Sequence, residues 1–110
     1  MNSSIGENSW IYANKNGGVY IGDEVNCAAN LYMIDSDHGT KLGVQMNKQP
    51  LSSEKIIIGN DVWIGANVTI LKGVKLGNGC VVGACACVTK SFNDNSIVGG
   101  VPAKLIKNRS

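Results

Sequence analysis

The chain has 110 residues, a net charge of +2, fourteen glycines and one phenylalanine. That length makes one domain, spanning 1–110, and the near-neutral balance excludes the dense basic face that nucleic acid asks for. No run of ~18 apolar residues is present to span a membrane, and MNSSIGENSW lacks the charged-then-apolar profile of a secretory leader.

In chain order, six-residue units open with an apolar residue: IGENSW from Ile5, IYANKN from Ile11, a short GGVY, then IGDEVN from Ile21, CAANLY from Cys27 and MIDSDH from Met33. The beat stops after His38. Residues 39–57 do not scan in sixes, and an interruption of that length is expected to leave the scaffold as a loop, usually functional or disordered. The beat resumes with IGNDVW from Ile58, IGANVT from Ile64, ILKGVK from Ile70, LGNGCV from Leu76 and VGACAC from Val82. It fades after Asn93 into a short strand near Ile97 and Val98, a GGVPAK corner and a tail over 103–110.

No helix has a period of six. A repeat this short predicts a parallel β-helix, each unit forming one flat side of a coil. Three units complete a triangular coil of about eighteen residues, so the expectation is an all-β solenoid of about four to five coils. Stacked at about 4.8 Å, they give a stubby prism about 20 Å tall with open sheet edges at both ends.

The register gives each residue a direction. Ile58, Ile64, Ile70, Leu76 and Val82 point inward as an aliphatic column, and Val62, Val68, Val74, Cys80 and Ala86 fill a second inward slot. Cys27 and Cys80 read as small core residues, while Cys85 and Cys87 form C-A-C, not a usual zinc or redox spacing. All four read as reduced thiols of a cytoplasmic protein. Asn14, Asn30 and Asn67 share one slot, a plausible turn because Asn tolerates left-handed backbone. His38, the one histidine, and Trp63 fall in outward slots.

The stretch IIIGNDVWIGANVTILKGVKLGNGCVVGACACVTKSFNDNSIVGGVPAKLI, with the upstream IGDEVNCAANLYMIDSDHG, resembles the hexapeptide-repeat acyltransferases, in particular the maltose, galactoside and polysaccharide O-acetyltransferase branch. D-x-D-H, a loop, IGNDVWIGAN, VTK and VGGVPAK together carry the resemblance. It implies a left-handed coil, against the usual crossover hand, a homotrimer with active sites between neighbouring prisms, and a coenzyme A thioester, acetyl-CoA, as acyl donor without any metal.

The resemblance makes His38 the general base. A sugar hydroxyl is a poor nucleophile, and a neutral imidazole, ordinarily with pKa about 6.5, suits the removal of its proton. The oxyanion would be met by backbone N–H groups near Gly65 and Ala66 or from the neighbouring subunit. Asp35 and Asp37 either orient the imidazole, bind a sugar hydroxyl or simply form a turn. Asn14, in a YAN segment like the family's acceptor site, is either an acceptor contact or a turn residue. Trp63 is implied at the acceptor site or cofactor arm, against a packing role in the trimer. Ala66, Ala84 and Thr89 match the pantetheine groove, Gly100, Val101 and Pro102 the adenine end, and Lys90, Lys104 and Lys107 the basic positions near the phosphates.

The chain is short for that family, which leaves the acceptor open. The leading expectation is acetyl transfer to a sugar or glycan hydroxyl. N-acetylation of an amino sugar would use the same base, and a non-catalytic scaffold would need neither DSDH nor VGGVPAK. A β-helical carbonic anhydrase needs three histidines on zinc, and one per chain does not supply them.

Overall fold

The computed structural model describes residues 2–110, a left-handed parallel β-helix built from two- to five-residue strands. In chain order these are β1 (Ser4–Ile5), β2 (Trp10–Tyr12), β3 (Val19–Ile21), β4 (Asn26–Cys27), β5 (Tyr32–Ile34), β6 (Ser36–Asp37), β7 (Ser52–Ser53) and β8 (Ile56–Ile58). They continue with β9 (Trp63–Ile64), β10 (Thr69–Ile70), β11 (Lys75–Leu76), β12 (Val81–Val82), β13 (Cys87–Val88), β14 (Ser96–Gly99) and β15 (Lys104–Asn108). Strands this short follow from the sequence: each apolar step inward is followed within a few residues by a Gly, Asn or Asp that turns the chain.

The prism has three sides. The first carries β1-β4-β9-β12-β14-β15, the second β2-β5-β10-β13 and the third β3-β8-β11. The inward apolar residues therefore form three columns rather than the one expected, because each unit rounds a corner onto the next side. Cys27, Ile64, Val82 and Val98 align on the first side, Met33, Ile70 and Val88 on the second, and Ile58 and Leu76 on the third. All of these are buried, as are Val62, Val68, Val74, Cys80 and Ala86 between the columns.

At two corners left-handed backbone recurs on residues other than glycine. One carries Asn8, Asn30, Asn67 and Cys85, the other Asn2, Glu24, Asp61 and Asn95, with Gly79 in the same column. Asn14 is in neither set: Asn8 takes the slot expected for it. The register explains this, since Ile11 aligns with Met33 and Ile21 with Ile58. IYANKNGGVY is thus one long unit, so the first coil is longer than standard, not shorter.

The third-to-first corner is held by a side-chain ladder. Asp23 N–H donates to Asn60 Oδ1 at 2.9 Å, Asn60 N–H to Asn78 Oδ1 at 2.8 Å, and Asn78 N–H to Asp94 Oδ1 at 2.9 Å. Each acceptor lies over a glycine of the preceding coil, which explains why Gly precedes Asn60 and Asn78. A Cβ at Gly59 would sit 2.6 Å from Asn78 Oδ1 and 2.8 Å from Asn78 N. Gly59→Ala is therefore expected to destabilise the fold by about 2 kcal/mol, read as a lower midpoint in chemical denaturation. An unchanged midpoint would show that the coils separate without cost.

The ends differ. At the N-terminal end the inward-register residues Ile5 and Ile11 are 43% and 40% exposed. At the other end the expected tail is a strand, because β15 folds back antiparallel on β14 and Ala103 is buried beneath it. Arg109 fastens that strand, donating from Nη1 to Gly79 O at 3.2 Å and pairing with Asp61 Oδ2 at 3.4 Å. The loop leaves the prism between β6 and β7, which pair antiparallel. It is shorter than the 39–57 expected: Ile56 is already buried and aligned with Val19.

Candidate active site

His38 is exposed and follows β6 directly, at the root of the loop. That root is fixed on both sides. Asp35 is fully buried, and its Oδ2 accepts the backbone N–H of Asn14 at 2.7 Å and of Gly18 at 2.6 Å. A Cβ on Gly17 would come within 2.5 Å of the same oxygen. Through these bonds Asp35 ties the YANKNGG bulge of the first coil to the strand that delivers His38. Asn14 is drawn to this place through its backbone.

Asp37 is held from the other side. Its carboxylate lies 3.6 Å from Lys72 Nζ, which also lies 3.8 Å from Glu54 and donates to Ser52 Oγ at 3.0 Å. Lys72 thus bridges both strands of the loop root, and the turn or ligand alternatives for Asp37 gain an ion pair as a third. Sequence reasoning missed Lys72. The signal was available, because the third slot holds Asn or Ala in the neighbouring units IGNDVW, IGANVT, LGNGCV and VGACAC but Lys in ILKGVK. Beyond the root, Gln49 organises the loop: its Oε1 accepts Lys41 N–H at 3.1 Å, and its Nε2 donates to the carbonyls of Lys41 and Val44 at 3.0 Å each.

The residues assigned to the acyl donor separate into groups. Gly65, Ala66, Ala84, Gly100, Val101 and Pro102 follow the corner between the first and second sides, coil upon coil. Cys85 N–H donates to Ala66 O at 2.9 Å and Cys87 N–H to Gly100 O at 3.0 Å. Gly65 N–H is spent on Val82 O at 2.8 Å. Among the described residues the N–H groups of Ala66 and Ala84 donate to no protein acceptor. With methyl side chains beside them, they fit the amide-bearing arm of a coenzyme A thioester. Thr89 and Lys90 lie one corner further on, past β13, with the Lys90 ammonium 5.6 Å from the Phe92 ring centre. Lys104 and Lys107 are exposed on β15.

Trp63 is 60% exposed on β9, between Asn26 and Val81 on the first side. β6 leaves the prism after the second side. Within one chain the structure does not bring Trp63 to His38.

The cysteines divide as the register requires. Burial pushes the Cys27 thiol up to about 11 and raises that of Cys80, which donates to Asn93 O at 3.2 Å. A thiol raised in the folded state stabilises it fully below the unfolded value of 9.0, and that contribution is lost as pH rises toward 11. Iodoacetamide is expected to modify exposed Cys85 in the folded protein and to leave Cys27 and Cys80 until it unfolds. Peptide mass mapping checks this, and labelling of Cys27 at the rate of Cys85 would contradict the packing.

Comparison with known proteins adds a second line. Residues 55–90 match the family described as bacterial transferase hexapeptide (six repeats). A lipopolysaccharide biosynthesis O-acetyl transferase of Escherichia coli K12 (WbbJ) is 32% identical over 97% of this chain and 59% of its own. The polySia-specific acetyltransferase NeuO superposes with a TM-score of 0.84 at 33% identity, over 96% of this chain and 49% of its own. AntD, an N-acyltransferase of Bacillus cereus solved with dTDP-4-amino-4,6-dideoxyglucose and coenzyme A, gives a TM-score of 0.84 at 27% identity, over 98% of this chain and 61% of its own. The chain thus spans less than two thirds of the length of each.

Proposed function

We propose that this chain, which carries the bacterial transferase hexapeptide repeat over residues 55–90, moves an acetyl group from acetyl-CoA to a hydroxyl of a sugar or glycan. The observation that carries the reading is the placement of its one histidine: exposed, at a loop root held rigid by buried Asp35 and by Lys72. Such bracing costs chain entropy and suits a side chain that must meet a substrate in one geometry.

In this reading His38 takes the acceptor's proton as its oxygen attacks the thioester carbonyl carbon. The new C–O bond forms, the unspent N–H of Ala66 stabilises the oxyanion, and the C–S bond breaks. The departing thiolate recovers the proton from the imidazolium. The cysteines have no part in it. The N–H of Ala84 holds a pantetheine amide, with Gly65 shaping the corner, Gly100, Val101 and Pro102 at the adenine end, and Lys90, Lys104 and Lys107 available to the phosphates. Because Trp63 and His38 leave different sides of one prism, a site using both needs two chains, which supports a homotrimer with shared sites.

The likeness to an N-acyltransferase keeps an amino-sugar acceptor as the second reading. Both are tested by incubating the protein with acetyl-CoA and neutral or amino sugars, following thiol release and identifying the product linkage by mass spectrometry. Release without an acetylated sugar, or no coenzyme A binding at all, would overturn the enzyme reading in favour of a scaffold.

A further inference from the structure

The second side of the prism carries aromatic side chains that neither the core nor the proposed chemistry uses. Trp10 and Tyr12 project from β2 and Tyr32 from β5, the strand hydrogen-bonded beside it. The rings touch one another: Trp10 and Tyr12 lie stacked, 6.1 Å between centroids and 10° between planes, and Tyr12 meets Tyr32 at 5.8 Å and 59°. They nonetheless remain 60%, 47% and 37% exposed. Three mutually braced rings on one flat sheet make a preorganised apolar surface, which in a soluble protein marks an interaction site.

From this surface we infer a subsite for the neighbouring sugar units of an oligosaccharide acceptor, so that the substrate is a glycan chain rather than a free monosaccharide. The inference rests on the acetyltransferase reading above and deepens it. Its chemistry follows from the residues. A sugar ring offers a C–H face to an aromatic face and hydroxyls to the indole N–H and phenol O–H at its rim, the kind of partner Trp and Tyr accommodate with one apolar and one polar end. The other outward residues of this sheet, Ile34, Thr69 and Cys87, carry no charge. A stacking surface for single-stranded nucleic acid would need a cationic groove alongside, so the surface fits a neutral chain.

Its position ties it to the reacting end. Tyr32 on β5 precedes His38 by six residues, across the bend at Asp35 and β6, so their Cα atoms lie within roughly 20 Å of each other. Asp35 fastens the segment just after Tyr12 to that same strand, through Asn14 N–H and Gly18 N–H. Platform and histidine are thereby held as one body, a few sugar units apart.

The test titrates the whole protein with maltose, maltohexaose, cellobiose and cellohexaose and follows the indole N–H resonances of Trp10 and Trp63 by NMR, assigned with Trp10→Phe. The Trp10 resonance is expected to shift with at least one hexasaccharide, with a dissociation constant roughly tenfold lower than for the matching disaccharide. Tyr32→Ala should remove that length dependence while the thermal midpoint and coenzyme A binding by calorimetry stay as in the parent. No Trp10 shift with either series, or equal affinity for short and long chains, would overturn the proposal. So would a Trp10→Ala protein that drops to a smaller oligomer in light scattering, since the rings would then be a contact between copies. The readout needs no turnover, so a failure of glycan binding at the rings is told apart from a failure of acetyl transfer.

Discussion

His38→Ala is expected to lower the turnover of acetyl transfer by about a thousandfold, the middle of the range for removing a general base, with little change in coenzyme A affinity. The side chain is exposed and touches none of the buried columns, so truncation should leave the thermal midpoint in place. The paired measurements are single-turnover acetylation of an acceptor and calorimetric binding of coenzyme A to parent and variant. Transfer that survives within a few-fold would remove the base mechanism. Loss of transfer together with loss of the fold would instead assign His38 a structural role.

The second large effect lies three residues upstream. Asp35→Ala deletes the buried carboxylate that accepts the part-buried N–H groups of Asn14 and Gly18. Each stranded donor costs about 1–3 kcal/mol, so a loss of about 3 kcal/mol and a thermal midpoint lower by on the order of 10 °C are expected. Asp35→Asn separates the role of the hydrogen bonds from that of the charge. Oδ1 has no partner among the described residues, so an amide oriented with nitrogen at that position keeps both bonds of Oδ2. The Asn variant should therefore recover most of the stability lost in the Ala variant, as thermal unfolding followed by circular dichroism would show. Equal loss in both would mean that the negative charge, not its hydrogen bonds, holds the bulge.

Much of the architecture was legible in the residues. Ile58, Ile64, Ile70, Leu76 and Val82 recur every sixth position, and burial of all five follows from that period alone. The place where the period fails, at His38, marks the departure of the loop. What the period could not give was the register between distant coils. Asn14 scanned into the slot of Asn30 and Asn67 because counting in sixes treats GGVY as a short unit. Pairing of Ile21 with Ile58 puts the extra residues into a single bulge instead. The loop was drawn too long for a similar reason: Ile56 and Ile57 fall before the first countable unit, yet hydrogen-bond to β3.

The sequence by itself determined the solenoid, the inward and outward faces, the two core cysteines and the exposure of His38 and Trp63. These depend on a local alternation of apolar and small residues that each unit states independently. The tertiary structure alone decided that Asp35 is buried beneath the YANKNGG bulge, that Lys72 reaches Asp37 and that the last residues close the stack as a strand. It also gathered Trp10, Tyr12 and Tyr32 onto one side of the prism. Each of these is a contact between coils or with a segment outside the repeat. Their geometry depends on how far the insertions displace one coil's numbering from the next, and no single unit of the repeat records that displacement.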